Sequence, residues 1–326
     1  MFSLPATAIG PAAIPPSIPC DLAEVRHPEH GRTLPEDTLV IMTFVKTFRS
    51  LDLLPYALTA IAVRYLPPRG RGMRLVGTVH RIFPPPSNKL LEARLWCGCR
   101  LTVDLHDAVQ ASLYYRGFHE PSVTAVLRRH LRAGDCFVDV GANVGYYSCV
   151  ASCLVGRAGS VHAIEPSTKL IDRFRMDLAR NRISDRIVLH PVAVSDFEGT
   201  AYLQRGSHDP TPDGDRFITV EQFDGPSAEL VPVTTLDSLL IHASRVDVLK
   251  LDIEGQELSA LRGAVSTIRR FRPRLILVED DPQLLKRSAS SSDELWHLLT
   301  SLGYQGHRIE TGFDAPMVQF QPDDRN

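Results

Sequence analysis

Residues 137–148 read FVDVGANVGYYS and carry the strongest pattern in the chain for its fold class. Apolar residues over 136–140 predict a short buried strand, and a helix is predicted over 145–154. Gly141 and Gly145 bracket the turn between them, where residues without a Cβ permit positive φ and let a ligand approach the backbone. The N-terminus of the helix offers unpaired amide donors to an anionic group such as a carboxylate. For the stretch alone, the alternative is a tight strand-to-helix turn with no ligand.

The sequence after this turn continues to alternate short apolar strands with helical stretches. This alternation implies right-handed crossovers and a mostly parallel sheet with helices on both faces, which is a doubly wound α/β fold. Such a sheet binds ligands beyond the carboxyl ends of its strands, so the functional residues are expected there. The predicted strands cover 160–165, 187–195, 246–252 and 274–279, and the predicted helices cover 122–131, 168–181, 257–268 and 293–302.

Two further segments are predicted ahead of the α/β domain, which we place at 91–326. Residues 1–36 are rich in proline and predict a disordered arm. Residues 37–90 predict an N-terminal helical extension and linker, in which a helix over 53–66 packs on the domain and the basic stretch 67–74 follows as a solvated linker. Contact of this helix with a membrane surface is the alternative. Apolar runs are too short for a transmembrane segment.

Composition places the chain among globular proteins and disfavours one class of partner. Of 326 residues, 44% are hydrophobic and 23% are charged, unlike a disordered or fibrous chain. The formal net charge is −2, whereas binding to a phosphate backbone needs a concentrated basic face, so no nucleic acid partner is expected. The six cysteines form no paired CxxC framework and follow no cleavable leader, which predicts a reduced, cytoplasmic setting.

The cysteines raise the question of a metal site. Residues 93–105 predict a β-hairpin with a turn near Gly98, and Cys97 and Cys99 face the same side of it. They can meet a metal or each other, but a structural zinc site needs further ligands, so no metal site is predicted. Cys149 and Cys153 lie four apart on the helix after the glycine turn and are interpreted as small buried apolar residues.

Acidic residues follow the next two strands. The second strand ends in AIEPS (163–167), where Pro166 ends the strand and the carboxylate of Glu165 can accept both hydroxyls of a ribose. The third ends in HPVAVSD (190–196), which offers Asp196 or the backbone around Val194 to an adenine amino group. The glycine spacing is GANVG and not G-x-G-x-x-G, so a nucleoside cofactor without a pyrophosphate fits better than NAD.

The fourth strand reads VDVLKLDIEGQE (246–257) and carries three charges in alternation. Lys250, Asp252 and Glu254 are spaced by two, so they share one face near the strand end. Each can act as a base that removes a proton from a hydroxyl, with Asp252 favoured first and Glu254 second, and His190 is a further candidate. Alternatively, Asp252 and Glu254 bind a divalent cation, or they cap the following helix.

The ordered set DVGANVGYYS, AIEPS, AVSD, TTLDSLL and KLDIEGQE resembles the FkbM-type methyltransferase family, over about 91–279. The resemblance implies a class I methyltransferase (Rossmann-like) sheet, mostly parallel with an antiparallel edge strand. It also implies S-adenosyl-L-methionine as the cofactor and O-methylation of a hydroxyl on a small molecule, sugar or polyketide-like or lipid-like metabolite. The residues implied to hold the cofactor are Asp139, Gly141, Ala142, Asn143, Gly145 and Tyr146 around the methionine part, Glu165, Pro166 and Ser167 at the ribose, Val194 and Asp196 at the adenine, and Asp252, with Glu254, beside the methyl group and acceptor.

Three other functions compete with methylation of a small molecule or sugar. A nucleic-acid methyltransferase uses the same fold but needs a basic groove. A binding protein can keep the cofactor pocket without catalysis. A metal-dependent sugar-nucleotide transferase would use Asp252 and Glu254 as a cation site, but it has no use for a glycine turn paired with Glu165.

Overall fold

The computed structural model describes residues 51–65, 71–86, 89–205, 216–219, 229–309 and 316–323. The predicted arm over 1–36 lies outside the described residues, so it stays a prediction. The strands are β1 (Leu91–Arg94), β2 (Arg100–Val103), β3 (Cys136–Val140), β4 (Ser160–Ile164), β5 (Ile187–His190), β6 (Ala193–Val194), β7 (Gly199–Arg205), β8 (Arg216–Thr219), β9 (Glu229–Thr234), β10 (Val248–Leu251), β11 (Leu275–Glu279), β12 (Tyr304–Arg308) and β13 (Met317–Pro322).

The helices surround these strands, and a short 3₁₀ turn at Leu51–Leu53 precedes the first of them. They are α1 (Leu54–Tyr65), α2 (Arg71–Ile82), α3 (Ala108–Arg116), α4 (Pro121–His130), α5 (Tyr146–Val155), α6 (Thr168–Asn181), α7 (Leu236–Leu239), α8 (Glu257–Arg262), α9 (Val265–Phe271), α10 (Pro282–Arg287) and α11 (Ser292–Ser301).

A seven-stranded central sheet confirms the predicted doubly wound fold. Its strand order is β12-β13-β11-β10-β3-β4-β5. The pairs from β11 to β5 are parallel, and antiparallel pairing occurs only at one edge, where β13 pairs with β11 and β12. The chain runs outward from β3 to β5 and then returns to β10 on the other side of β3. The order therefore reverses between β3 and β10, and a crevice for ligands opens at their carboxyl ends.

Both faces of the central sheet are buried, which explains why its strands read as nearly continuous apolar runs. Successive residues of β3 belong to different cores: Phe137 packs with the cluster on one face and Val138 with the cluster on the other. All five residues of β3 are buried. Asp139 is one of them, so a charged group lies inside the sheet directly before the glycine turn.

A second sheet corrects the prediction of one strand over 187–195. The strand ends at His190, and β6 leaves the central sheet to pair in parallel with β9 in a four-stranded sheet of order β6-β9-β7-β8. Pro191 lies at the break, and proline lacks the N–H that a ladder needs. The helix predicted over 257–268 is also two helices, because Gly263 lies against the Ser195 carbonyl, where a Cβ would be 2.1 Å from its oxygen.

The helix predicted over 53–66 corresponds to α1, which packs on α2 and on α3. The Tyr56 hydroxyl donates to the Pro84 carbonyl at 2.8 Å, and Arg64 donates to the Tyr114 carbonyl at 2.9 Å. The linker predicted over 67–74 is wrong from Arg71 onward, because α2 begins there and buries Val76. Among the described helices, none has both the length and the apolar character needed to cross a bilayer.

The turn after β3 needs a glycine because of packing within the protein, independently of any ligand. Gly141 has φ +81, and a Cβ there would lie 1.9 Å from the carbonyl oxygen of Asp252. Real Cβ atoms do not approach an oxygen this closely, so backbone would have to move. The absence of a side chain at Gly141 thus lets β3 and β10 bring their ends together at the crevice.

We expect Gly141→Ala to lower the free energy of unfolding by about 1–3 kcal/mol more than Gly134→Ala, the usual range for overpacking. Gly134 is a matched control, because it has φ +87 but no heavy atom within 4 Å of the position that a Cβ would take. Both variants carry the strain of a left-handed alanine, and only Gly141→Ala adds the clash. Urea denaturation measures the difference. Equal losses in the two variants would contradict this packing argument.

Candidate functional site

A cavity of about 270 Å³ lies at the carboxyl ends of β3, β4 and β10. It opens where the strand order reverses, as expected for this fold. Ten of the residues predicted from the sequence line it together. They are Gly141, Ala142, Asn143, Tyr146, Glu165, Pro166, Val194, Lys250, Asp252 and Glu254.

The other predicted residues do not line the cavity. Asp139 is fully buried beneath it, and Gly145 packs against Phe174, whose ring a Cβ would meet at 2.2 Å. Ser167 is buried at the N-cap of α6. Asp196 is exposed, because β6 turns away from the central sheet before it.

The alternative base His190 also lies outside this cavity. Its ring stacks on that of His162, with 3.0 Å between the two nearest ring nitrogens. Burial lowers the pKa of His190 to about 4, and His162 adds to the effect. His190 therefore belongs to the packing between β4 and β5.

Glu165 connects the turns that follow β3 and β4. Its Oε2 accepts from the backbone N–H of Asn143 at 3.0 Å, and its Oε1 accepts from the backbone N–H of Ser167 at 3.0 Å. The residue is 7% exposed. Two hydrogen bonds from backbone amides fix the carboxylate at the cavity wall.

Asn143 presents an unsatisfied acceptor in the same region. Its φ of 50° puts it in the left-handed region, which asparagine tolerates better than most residues. Its side-chain Oδ1 is buried and accepts from no other described residue. A buried carbonyl oxygen without a donor is rare in a folded protein, so this atom fits a ligand that brings an N–H group.

Lys250 is a buried cation next to the cavity. It is 1% exposed, and its Nζ lies 2.8 Å from Asp252 Oδ2 and 3.9 Å from Asp139 Oδ1. Its ammonium group also lies over the Tyr147 ring, 4.6 Å from the centroid. Burial disfavours its charge, but Asp252 and Asp139 outweigh this effect and raise the pKa of Lys250 above its ordinary value. Lys250 therefore stays protonated and orients Asp252.

The opposite wall was missed by the sequence analysis. It comes from the start of α3, from the connection between α3 and α4 and from α5, and it contributes Asp107, His119, Glu120 and Tyr147. The Tyr147 hydroxyl donates to Glu120, which is 4% exposed and has a left-handed backbone with φ 41°. Burial, followed by the charge of Glu120, raises the pKa of Tyr147 well above its ordinary value. In the sequence, this wall is indicated only by Pro121, which marks a helix start directly after Glu120.

The cavity is acidic. Six of its lining residues are aspartate or glutamate and one is lysine. Glu279, at the end of β11, is 6% exposed, and burial, with the charge of Asp252 second, raises its pKa well above the ordinary value. A wall of this composition attracts a cationic ligand and repels a pyrophosphate.

The structure bears on the two alternatives for Asp252 and Glu254. At the start of α8 it is Glu257 that accepts from the backbone, from Ile253 at 2.8 Å and Gly255 at 3.2 Å, and burial raises the pKa of Glu257 to about 7. Within the described ranges, Asp252 and Glu254 do not join a third potential metal ligand within mutual reach. Glu257 therefore takes the capping role at the start of α8.

A sheet that reverses order between β3 and β10, with a glycine turn after one strand and a ligand-facing acid after the next, defines a Rossmann-like methyltransferase fold. The chain belongs to the family of the methyltransferase FkbM domain, whose sequence model matches residues 139–305. This match covers 167 of the 326 residues (305 − 139 + 1), which is half of the chain. The resemblance noted in the sequence is thereby confirmed.

Solved structures are similar at low identity. Methyltransferase FkbM from Methylobacillus flagellatus KT is 18% identical with a TM-score of 0.40, covering 70% of this chain and 56% of that one. An S-adenosylmethionine-dependent O-methyltransferase from Thermotoga maritima is 13% identical with a TM-score of 0.40, covering 76% and 82%. Fibrillarin from Aeropyrum pernix, crystallised with S-adenosyl-L-methionine, is 13% identical with a TM-score of 0.37, covering 61% and 73%. The chain thus spans little more than half the length of the Methylobacillus protein. No curated protein sequence matches it.

We expect Glu279→Gln to stabilise the protein at about pH 8 and to do so less as the pH falls toward about 5. Because the folded-state pKa of Glu279 is raised, the folded state keeps a proton that the unfolded state has lost, so stability falls as the pH rises through this window. Glutamine is uncharged throughout and removes this loss, which we expect to amount to about 1–3 kcal/mol at the upper end.

Chemical denaturation at several pH values measures this difference. Glu92→Gln on the hairpin is the control for the loss of one negative charge, since the Glu92 side chain is 38% exposed. A stability difference for Glu279→Gln that stays constant across the pH range would show that its carboxyl is not perturbed by burial.

Proposed function

We propose that this protein is an S-adenosyl-L-methionine-dependent methyltransferase that methylates a hydroxyl group of a small molecule or sugar. The observation that carries the proposal is the Glu165 carboxylate, held by two backbone amides at the wall of an acidic cavity beside the glycine turn. An acid so placed can bind the two hydroxyls of a ribose. The free thiols of the described cysteines are in keeping with a cytoplasmic location, which we also infer.

The residues of the cavity fit such a cofactor. Asn143 Oδ1 is an orphaned acceptor suited to an ammonium group, and the carboxylates suit a ligand with positive charge. Gly141 to Asn143 would hold the methionine part, Glu165 the ribose, and the backbone near Val194 the adenine. When bound, the cofactor supplies an electrophilic methyl group on a positively charged sulfur. Asp196 is exposed and turned away, so we assign the adenine contact to Val194 instead.

Asp252 is the residue we assign to proton removal. Its side chain is 27% exposed at the cavity, and one oxygen, Oδ2, is held 2.8 Å from Lys250. The ion pair fixes the direction of the carboxylate, and in this assignment the other oxygen, Oδ1, accepts the proton of an acceptor hydroxyl. Taking this proton makes the hydroxyl oxygen a better nucleophile. Glu254, which also lines the cavity, stays second in this assignment.

The cofactor assignment predicts that Glu165→Ala weakens binding of S-adenosylhomocysteine by about 10-fold to 100-fold, because hydrogen bonds to a charged group contribute about 1.5–3 kcal/mol. Isothermal titration calorimetry measures the affinity. Asp196→Ala is the matched control, since it removes an acid that was predicted from the sequence but lies outside the cavity, and its affinity is expected to stay within about twofold. Undiminished affinity in Glu165→Ala would remove the ribose assignment.

The base assignment predicts that Asp252→Asn lowers kcat by about 10²-fold to 10⁴-fold, the usual contribution of general base catalysis. Its affinity for S-adenosylhomocysteine should change only a few-fold, because asparagine keeps the shape of the side chain. The assay follows a radiolabelled methyl group from S-adenosylmethionine into a panel of sugars and hydroxylated lipids, and then into the acceptor that the panel identifies. Single-turnover transfer at the unaltered rate would refute the role of Asp252.

Thermal melts and the methyl-transfer assay also distinguish the competing functions. Selective binding to the folded state raises the melting temperature, so thermal melts with S-adenosylhomocysteine, NAD and a UDP-sugar distinguish the ligand classes. Stabilisation by NAD or the UDP-sugar alone would contradict the proposal. If the radiolabelled methyl group enters RNA and not the small-molecule panel, the protein is a nucleic-acid methyltransferase instead.

A further inference from the structure

Four cysteines from two distant parts of the sequence meet on the side of the hairpin that faces α5. Cys97 and Cys99 lie in the turn between β1 and β2, and Cys149 and Cys153 lie on α5. The sulfurs of Cys97, Cys99 and Cys153 are all within 4.8 Å of one another, and Cys99 Sγ is 3.7 Å from Cys153 Sγ. Cys149 lies next to Cys99, outside this 4.8 Å group and one helical turn before Cys153 on α5. We call these four residues the cysteine cluster.

The local structure explains why the sulfurs converge. Gly98 has φ +90, and the tight turn it allows is closed by hydrogen bonds between Leu95 and Cys99 and between Gly98 and Leu95. The two cysteines that flank Gly98 therefore point to the same side. Residues four apart on a helix also share a face, which brings Cys149 and Cys153 onto one surface of α5.

The shortest printed separation between two sulfurs of the cluster matches one edge of a tetrahedral metal site. Zinc binds cysteine sulfurs at about 2.3 Å, so two sulfurs of a tetrahedral zinc site lie about 3.8 Å apart. The observed Cys99–Cys153 separation of 3.7 Å agrees with this edge. A disulfide needs about 2.05 Å between sulfurs and would use only two of the four. The separation therefore favours a shared ion over a covalent bond.

The surroundings suit a buried ion with one route of access. Cys99 and Cys149 are fully buried and Cys97 is 3% exposed, whereas Cys153 is partly exposed. A divalent cation binds such a cluster by replacing the thiol protons.

Packing alone does not account for the cluster. A free buried cysteine behaves as a small apolar residue and needs no other sulfur nearby. Cys136 on β3 is an example of this kind, since it is 2% exposed and lies in the hydrophobic cluster on the other face of the sheet. Four sulfurs in one place are the ligand set of structural zinc sites.

We propose that Cys97, Cys99, Cys149 and Cys153 form a structural zinc site. Zn²⁺ enters as the four thiols release their protons to solvent, and no electron is transferred. All four positions are taken by protein ligands, so the ion is structural and takes no part in methyl transfer. The site attaches the hairpin to α5, whose first residue, Tyr146, lines the cofactor cavity.

The test is the metal content of the full chain, purified under reducing conditions from cells supplied with zinc. We expect about one zinc per chain, and X-ray absorption spectroscopy should give a shell of sulfur neighbours at about 2.3 Å. Cys136→Ser is the matched control, because it removes a buried cysteine outside the cluster and should leave the zinc content unchanged. These measurements on the unaltered chain do not depend on whether any cluster variant folds.

Variants of the cluster and a chelator complete the experiment. Cys99→Ser and Cys149→Ser should each lose most of the zinc, and a chelator should lower the Tm of the unaltered chain but not that of Cys99→Ser. Zinc below about a tenth of an equivalent with all thiols reduced would overturn the proposal. So would a metal shell of nitrogen and oxygen, or a mass two hydrogens lower that maps to a disulfide within the cluster.

Discussion

The close approach of β3 and β10 at the point where the strand order reverses is the constraint on which the rest depends. Gly141 touches the carbonyl of Asp252, and Lys250 lies between Asp252 and Asp139 with its charge almost fully buried. A buried charge is tolerated only with its partners in place, and removing one partner typically destabilises by about 3–5 kcal/mol. The same contacts that close the core therefore set the glycine turn and the acid of β10 on one cavity.

Much of the fold was predictable because buried parallel strands read as continuous apolar runs. The bounds of β3 and α6 match the predictions, since β3 is a buried run directly before a glycine turn and α6 is a long amphipathic helix. Two breaks differ in this respect. Pro191 marks the end of the strand at His190 in the sequence itself, whereas Gly263 divides a helix through its contact with the Ser195 carbonyl, far away in the chain. The helix α3 carries too weak an apolar pattern to be seen without its packing partners.

The candidate site likewise has a part that the sequence predicts and a part that it does not. Residues at strand ends were found, because parallel pairing places all carboxyl ends at one edge of a sheet. The wall formed by His119 and Glu120 was missed, since a left-handed residue between two helices gives no periodic signal. Asp196 was predicted at the cavity because it follows an apolar run. This run leaves the central sheet, so Asp196 lies outside the cavity. The meeting of four cysteines likewise depends on how the hairpin docks on α5, which spacing along the chain does not encode.

The two walls of the cavity have different origins in the fold, and this has an evolutionary consequence. One wall is made by strand ends that cannot shift without disturbing the core. The other is made largely by the short connection between α3 and α4, around His119 and Glu120. Under the proposed function, substitutions in that connection change the acceptor side of the cavity while the strand ends keep their positions, so descendants of one ancestor can acquire new acceptors by altering a handful of loop positions.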